Sequence, residues 1–411
     1  MPIRTAHPAV LASWLWLAAT GCLSEGGGGA EAAAIERLPA GIHAQYRLES
    51  SHRGVAPPGT ALTSSLVLDW KTSALGIGNY VASKSSPTVD VSKIYVGVDD
   101  GQLLALRKDS GAIAWSFRSR RYDVEATEAG PVHYGIHGSP AFDDECVYIG
   151  DYSGWLYAIF KNTGLLKWEK KLGGSIGASP VFFDGKIFIA VEYPDPNGRV
   201  FVLNANDGSE VYATGYLGHH VHASVSIDRT RGYMFVGANN GAFYCFDFVH
   251  KKPMWSTMTA GPIKSTAAVI GDTAYVTSWD YRLYAIAIDD GSVRFTFTAQ
   301  DIIMSSPSYH EGRVYFGSHD GRVYCVDADR GELLWSFKTG GTVMSSPTIV
   351  PQSGVLLVGS GDAHLYMLTL DDGTLRWSAA LSAGLSSVPV AVDNTIYVND
   401  DSGIVYHFVE L

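Results

Sequence analysis

Charge and cysteine are both scarce in this chain. Only 17% of its 411 residues are charged and four are cysteine. Each shortage removes a class of protein. The four cysteines form no C-x-x-C pair and no C-x-x-C-H run, which excludes an attached haem and leaves no disulfide framework. The 30 basic residues against 41 acidic ones give a net charge of −11, which argues against nucleic acid as the main partner. The one apolar stretch near the N-terminus, residues 9–19, is too short to span a bilayer. No Ser-His-Asp, phosphate-loop or zinc-protease spacing occurs.

What the chain does have is a repeat. Residues 305–340 hold one copy: SSPSYHEGRVYFGSHDGRVYCVDADRGELLWSFKTG. Apolar residues alternate through 313–317 and 322–327, the period of half-buried strands. His319-Asp320-Gly321 forms a tight hairpin between them, and Asp329-Arg330-Gly331 a second turn. Residues 333–337 give the outer strand around Trp335, and residues 305–309 the innermost one. Four short antiparallel strands in about forty residues is the length of a propeller blade.

The second turn recurs as Asp109-Ser110-Gly111, Asn162-Thr163-Gly164, Asn206-Asp207-Gly208, Asp289-Asp290-Gly291 and Asp371-Asp372-Gly373, with His250-Lys251-Lys252 departing from it. An aromatic follows each turn: Trp115, Trp168, Tyr212, Trp255, Phe295, Trp335 and Trp377. Opening strands carry Ser86-Pro87, Ser139-Pro140, Ser179-Pro180, Ser306-Pro307 and Ser346-Pro347, replaced elsewhere by Ser224-Val225, Thr266-Ala267 and Ser387-Val388. Eight units begin but seven are complete. The last lacks its outer strand, and residues 65–71, a lone strand with Trp70, would supply it. The expected fold is therefore all-β: an eight-bladed propeller of four-stranded antiparallel blades over residues 62–411, closed by an N-terminal strand. Closure removes the free sheet edges of an open ring. Length alone would suggest about two or three domains, but a blade cannot bury both faces by itself.

The run from Ala158 through Asn162-Thr163-Gly164 to Trp168, and that from Cys325 through Asp327 and Gly331 to Trp335, resemble the PQQ-like β-propeller repeat. That resemblance implies that Trp70, Trp115, Trp168, Trp255, Trp335 and Trp377 dock between neighbouring blades. Within the family the plan is most similar to the BamB group of outer-membrane assembly lipoproteins. This implies a non-enzymatic, membrane-anchored scaffold in the periplasm, whose partner is an envelope protein such as a barrel assembly component. The alternative is a periplasmic quinoprotein using PQQ with calcium, or a metal-binding propeller.

The N-terminus agrees with an envelope protein. Arg4 and the apolar run read as a secretory signal over residues 1–21. Ala19-Thr20-Gly21-Cys22 resembles a lipoprotein cleavage box, making Cys22 the lipidated residue; ordinary signal cleavage beside an incidental cysteine is the alternative. Residues 22–61 read as a Gly- and Ala-rich tether with an irregular lead-in. Cys146, Cys245 and Cys325 fall on strands of different blades and read as small buried residues.

Blade topology directs the loops entering each opening strand, and the hairpins between second and third strands, to one face. The channel-facing residue of each entering loop is read as Lys84, His137, Gly177, His222, Lys264, Met304, Met344 and Leu385. Polar residues at a wet channel mouth cost little and need no function. Two chemical readings compete with that. Lys84, Lys264 and histidines could face an anionic quinone, with Glu192, Asn239 and Asp280 as oxygen ligands for calcium. Alternatively His137, His222, Met304 and Met344 form a soft set suited to copper, with His219 and His220 adding density. Blade three also carries a longer hairpin at residues 192–198, stiffened by Pro194 and Pro196, which should project as a partner-binding or neutral loop.

Overall fold

The computed structural model describes residues 54–76, 85–120 and 135–411, together with the backbone of strand Ile42–Ala44. Lys84 and Cys22 lie outside the described residues, as do the signal and tether segments.

Each repeat folds as its turn residues demand. In the sixth blade, Ser308–His310, Arg313–Gly317, Arg322–Asp327 and Leu333–Lys338 pair in antiparallel order. Gly321 and Gly331 sit at φ +77° and +73°, where an L side chain would be strained. Seven further sheets repeat the plan, giving a ring of eight. Blades are numbered from the one that opens at Ser85. The second and third strands of every blade supply the buried apolar layers between blades. Tyr95, Tyr148, Tyr315 and Tyr397, each at the same place in a second strand, are almost wholly buried.

The ring closes as the sequence requires. Leu66–Lys71 pairs antiparallel with Val405–Glu410, from Leu66 opposite Glu410 to Lys71 opposite Tyr406, with a one-residue register shift between Leu68 and Trp70. The last blade thus joins strands more than 300 residues apart. Its neighbours hold it as they hold each other. The Val388 amide donates to Ser86 Oγ at 2.9 Å, just as Ser86 donates to Ser139 Oγ at 2.8 Å and Ser306 to Ser346 Oγ at 3.0 Å. The repeated serine is there for a physical reason, since its hydroxyl satisfies a buried amide of the preceding blade.

The indoles play a comparable part on the outside. The Nε1–H of Trp115 donates to the Lys161 carbonyl of the next blade at 2.8 Å, and that of Trp335 to Leu370 at 2.9 Å. Trp168, Trp255 and Trp70 donate likewise to Ala205, Ile288 and Lys108. Each ring lies flat against the turn glycine ahead of it. A Cβ on Gly164 would stand 2.8 Å from Trp115, and one on Gly373 2.5 Å from Trp335. Trp377 differs, donating to the Leu66 carbonyl of the closing strand.

Four expectations need correction. In the last blade the hydrogen bond from Val388 makes Val388-Pro389 the counterpart of Ser-Pro, so the alignment on Ser387-Val388 is one residue early. Ser386 then takes the channel-facing place. Leu385 is buried against Gly359, as Val343 is against Gly317 one blade earlier. In the fourth blade Lys251, at φ +58°, occupies the place that glycine fills elsewhere, so that turn is Val249-His250-Lys251. The first sheet has five strands, because Ile42–Ala44 adds to the inner strand Thr88–Asp90. Finally, the lead-in is not merely irregular. Gly54 and Ala56 bond to both sides of Ile349 on the inner strand of blade seven. The Ala61 and Leu62 amides then donate to Asn394 Oδ1 and Ser353 Oγ, and Ala56 and Leu62 are buried.

Cys146, Cys245 and Cys325 are buried with free thiols. Burial pushes the thiols of Cys146 and Cys325 up to about 12, so they remain protonated and unreactive.

Candidate functional site

The third blade departs most from its siblings. Its middle strands, Lys186–Tyr193 and Asn197–Asn204, have eight residues each, where other blades have five or six. The hairpin tip, Pro194 to Pro196, is exposed. Its base is clamped: the Ser175 amide donates to the Glu192 carbonyl at 2.7 Å, and the Glu192 amide returns a bond to Ser175 at 2.8 Å. Gly174 permits this approach, since a Cβ there would fall 1.4 Å from the Glu192 carbonyl oxygen. Tyr193 adds a hydroxyl bond to the Leu172 carbonyl at 2.8 Å.

The clamp sets the Glu192 side chain, which is 6% exposed. Opposite it runs the loop entering blade four, His219-His220-Val221-His222. Val221 is buried in the core, so His220 and His222 share the other side of an extended segment. His222 Nδ1 lies 2.8 Å from Glu192 Oε1, and His220 Nδ1 3.8 Å from Glu192 Oε2. The donor atoms of the three residues all fall within 4.8 Å of one another. Glu192 Oε1 receives no hydrogen bond of good geometry despite its burial. Gly177 stands beside it, and a Cβ there would come 3.0 Å from the Tyr152 hydroxyl and 3.1 Å from Glu192 Oε1.

The other candidate residues do not join this cluster. His137 is buried, packed against Tyr152 with centroids 4.2 Å apart and the rings tilted by 50°, and its Nε2 lies 3.4 Å from Asp99. Lys264 places its ammonium 4.2 Å from the Trp279 ring centroid, a cation–π contact. Met304 and Met344 are half-buried. The Asn239 amide donates to the His220 carbonyl at 2.9 Å, and its Oδ1 is buried without a hydrogen bond. Asp280 is engaged within its own hairpin. Its carboxylate accepts from Ala260 N, Arg282 N and the Tyr284 hydroxyl of its own blade. Asp320 and Asp362 bond Tyr324 and Tyr366 in the same way, which marks a hairpin brace common to several blades. Sequence reasoning therefore missed the true neighbours of Glu192. The available signal was H-x-H alternation on the loop facing the longest hairpin.

A family model described as outer membrane protein assembly factor BamB, of PQQ-like type, matches residues 99–227, 196–336, 299–352 and 319–410, which together run round most of the ring. The chain belongs to this family. Among curated relatives, BamB of Alkalilimnicola ehrlichii is 35% identical over 216 residues, covering 50% of this chain and 51% of the relative. BamB of Yersinia pestis is 27% identical over 160 residues, or 38% of each. The chain thus spans about half or less of the length of these relatives. Among solved structures, BamB of Moraxella catarrhalis superposes with a TM-score of 0.64 at 19% identity, over 84% of this chain and 97% of that one. A europium-containing methanol dehydrogenase gives 0.73 at 13%, covering 90% and 98%. The quinohemoprotein alcohol dehydrogenase of Comamonas testosteroni gives 0.74 at 12%, covering 91% and 81%. At such identities the fold is what is shared. The family assignment rests on the family model, not on the ring's shape, which the dehydrogenases share.

Proposed function

We propose that this protein is a non-enzymatic scaffold of outer-membrane protein assembly, lipid-anchored through Cys22 and facing the periplasm. The observation that carries the reading is the family match over most of the blades. The engagement of Asp280 with its own blade speaks against the quinoprotein alternative, because it withdraws one of the three oxygen ligands that alternative needs. The exposed hairpin of blade three is the partner-binding feature. Behind its tip, Tyr193 meets the exposed Tyr216 edge-on at 5.6 Å, and the Arg199 guanidinium lies 5.3 Å from the Tyr216 ring. Aromatic and arginine side chains on a rigid base are the residue types that anchor protein interfaces.

Crosslinking and recovery from outer membranes tests the reading. A large barrel protein should be recovered with the wild type, and less of it with Tyr216→Ala. Cys22→Ser should release the protein from the membrane fraction. Recovery of no barrel protein, or dye-linked alcohol oxidation dependent on PQQ and calcium, would overturn it.

A further inference from the structure

We propose that Glu192, His220 and His222 form a zinc-type transition-metal site that ties blade three to blade four at the channel mouth. His220 fixes its own tautomer. Its Nε2 lies 3.0 Å from the Tyr193 carbonyl oxygen. A carbonyl only accepts, so Nε2 carries the hydrogen and neutral His220 keeps its lone pair on Nδ1. That nitrogen faces Glu192 Oε2 at 3.8 Å. That tautomer turns Nδ1, the nitrogen able to bind a metal, toward the carboxylate. A backbone carbonyl bound to the far nitrogen is also the usual outer-shell support of a metal-bound imidazole, fixing tautomer and ring orientation.

Glu192 adds a second, independent observation. It is 6% exposed, and its Oε1 has no hydrogen bond of good geometry although His222 Nδ1 is 2.8 Å away. The two imidazoles approach edge to face, with centroids 6.1 Å apart. Tetrahedral zinc with bonds of about 2.0–2.2 Å separates its donors by roughly 3.3–3.5 Å. His222 Nδ1 stands 2.8 Å from Oε1 and His220 Nδ1 3.8 Å from Oε2, and one donor atom from each of the three residues falls within 4.8 Å of the others, so the three must draw closer around an ion. Two imidazoles and one carboxylate suit zinc, whereas calcium takes six to eight oxygens. His220 and His222 retain about a third of their side-chain exposure, 32% and 27%, so water can take the fourth position.

The clamp supplies the rigidity such a site needs. Glu192 is held by paired backbone bonds to Ser175, and the His220 carbonyl by the Asn239 amide. Gly177 leaves the space beside Glu192 Oε1 open.

The test is calorimetric titration of the untagged, chelator-treated protein with zinc, read also by cobalt(II) absorption. One zinc per chain should bind, and His220→Ala and His222→Ala should each weaken binding by about 100-fold or more. Cobalt should give a visible band in the wild type that either substitution removes. Glu192→Gln, which keeps the shape of the buried side chain, should weaken zinc in the same way if His222→Ala fails to fold. His364→Ala, on blade seven, should change nothing. Absence of zinc binding, or affinity unchanged in His222→Ala and Glu192→Gln, would overturn the proposal. So would equal loss in His364→Ala, or calcium bound in preference to zinc.

Discussion

If the closing strand is a true member of the last blade, Trp70→Ala should destabilise the whole ring. Trp70 is half-buried, sits against Gly111 of the first blade, and donates its indole N–H to the Lys108 carbonyl at 3.0 Å. It also lies near His407 and Tyr397, with centroids 5.2 and 6.2 Å away. Truncating a fully buried tryptophan costs about 3–5 kcal/mol. Half burial reduces that to about 2 kcal/mol, and the hydrogen bond adds about 1 kcal/mol. A loss of about 3 kcal/mol is a large part of a stability of about 5–15 kcal/mol. Urea unfolding followed by far-UV circular dichroism measures it, with Trp335→Ala, buried at an interior junction, as the calibrating variant. Gly111→Ala gives a second handle. A Cβ there would stand 2.6 Å from the Trp70 ring at φ +67°. Its cost should shrink in the Trp70→Ala background to the backbone part, about 1–2 kcal/mol. Were the strand merely tethered, Trp70→Ala would change stability by no more than about 0.5 kcal/mol and would not couple to Gly111. That outcome would refute ring closure.

Burial holds His407 below the ordinary imidazole range against the raising effect of Asp69, and Lys108 lowers it further. The native state therefore stays neutral while the unfolded imidazole takes a proton below about pH 6.5, so stability should fall from pH 7 to pH 5, and fall less in His407→Gln. Burial raises the Asp401 carboxyl, so the stability it contributes is present at low pH and lost as pH rises. Asp401→Asn, whose Oδ1 still accepts from the Ser386 amide while its Nδ2 donates to the Ser386 hydroxyl oxygen, should raise the melting temperature at pH 7. Lys251→Gly, at φ +58° in the turn that lacks glycine, should stabilise by about 0.5–1 kcal/mol in urea unfolding.

The scaffold was legible because each marker meets one local need repeated many times. Ser86 and its counterparts satisfy an amide, Gly111 and its counterparts adopt left-handed backbone, and the indoles cap the next turn. The register slipped where the need persisted and the marker changed. Lys251 adopts the backbone of a glycine, and Val388 keeps the serine's place without its hydroxyl. The added strand Ile42–Ala44 and the pairing of Gly54 and Ala56 with blade seven left no trace, because three-residue segments carry no period. At the channel mouth, the sequence placed Glu192 and His222 on the right face but in separate chemistries. Their meeting depends on the length of one hairpin and the course of the next loop. The recurrence of Asp280 as Asp320 and Asp362 marks a hairpin brace, a repeat that was legible in the sequence.

A repeat protein separates what its ring needs from what it does not. Seven blades close without strands of eight residues in the middle of the sheet, so nothing in the closure of the ring explains why the third has them. Nor does closure explain Gly173-Gly174, whose bare backbones let that hairpin lie on its own entering loop. The same hairpin carries Glu192 at its base and the exposed Pro194–Pro196 tip beyond, and three histidines face or flank it within four residues of the next loop. A metal at its base would fix the angle at which the tip leaves the ring, because Glu192 and Tyr193 are adjacent and His220 bonds the Tyr193 carbonyl. If the tip is the partner-binding feature proposed above, binding there and occupancy of the cluster are linked, since whatever orders one end of so short a hairpin orders the other.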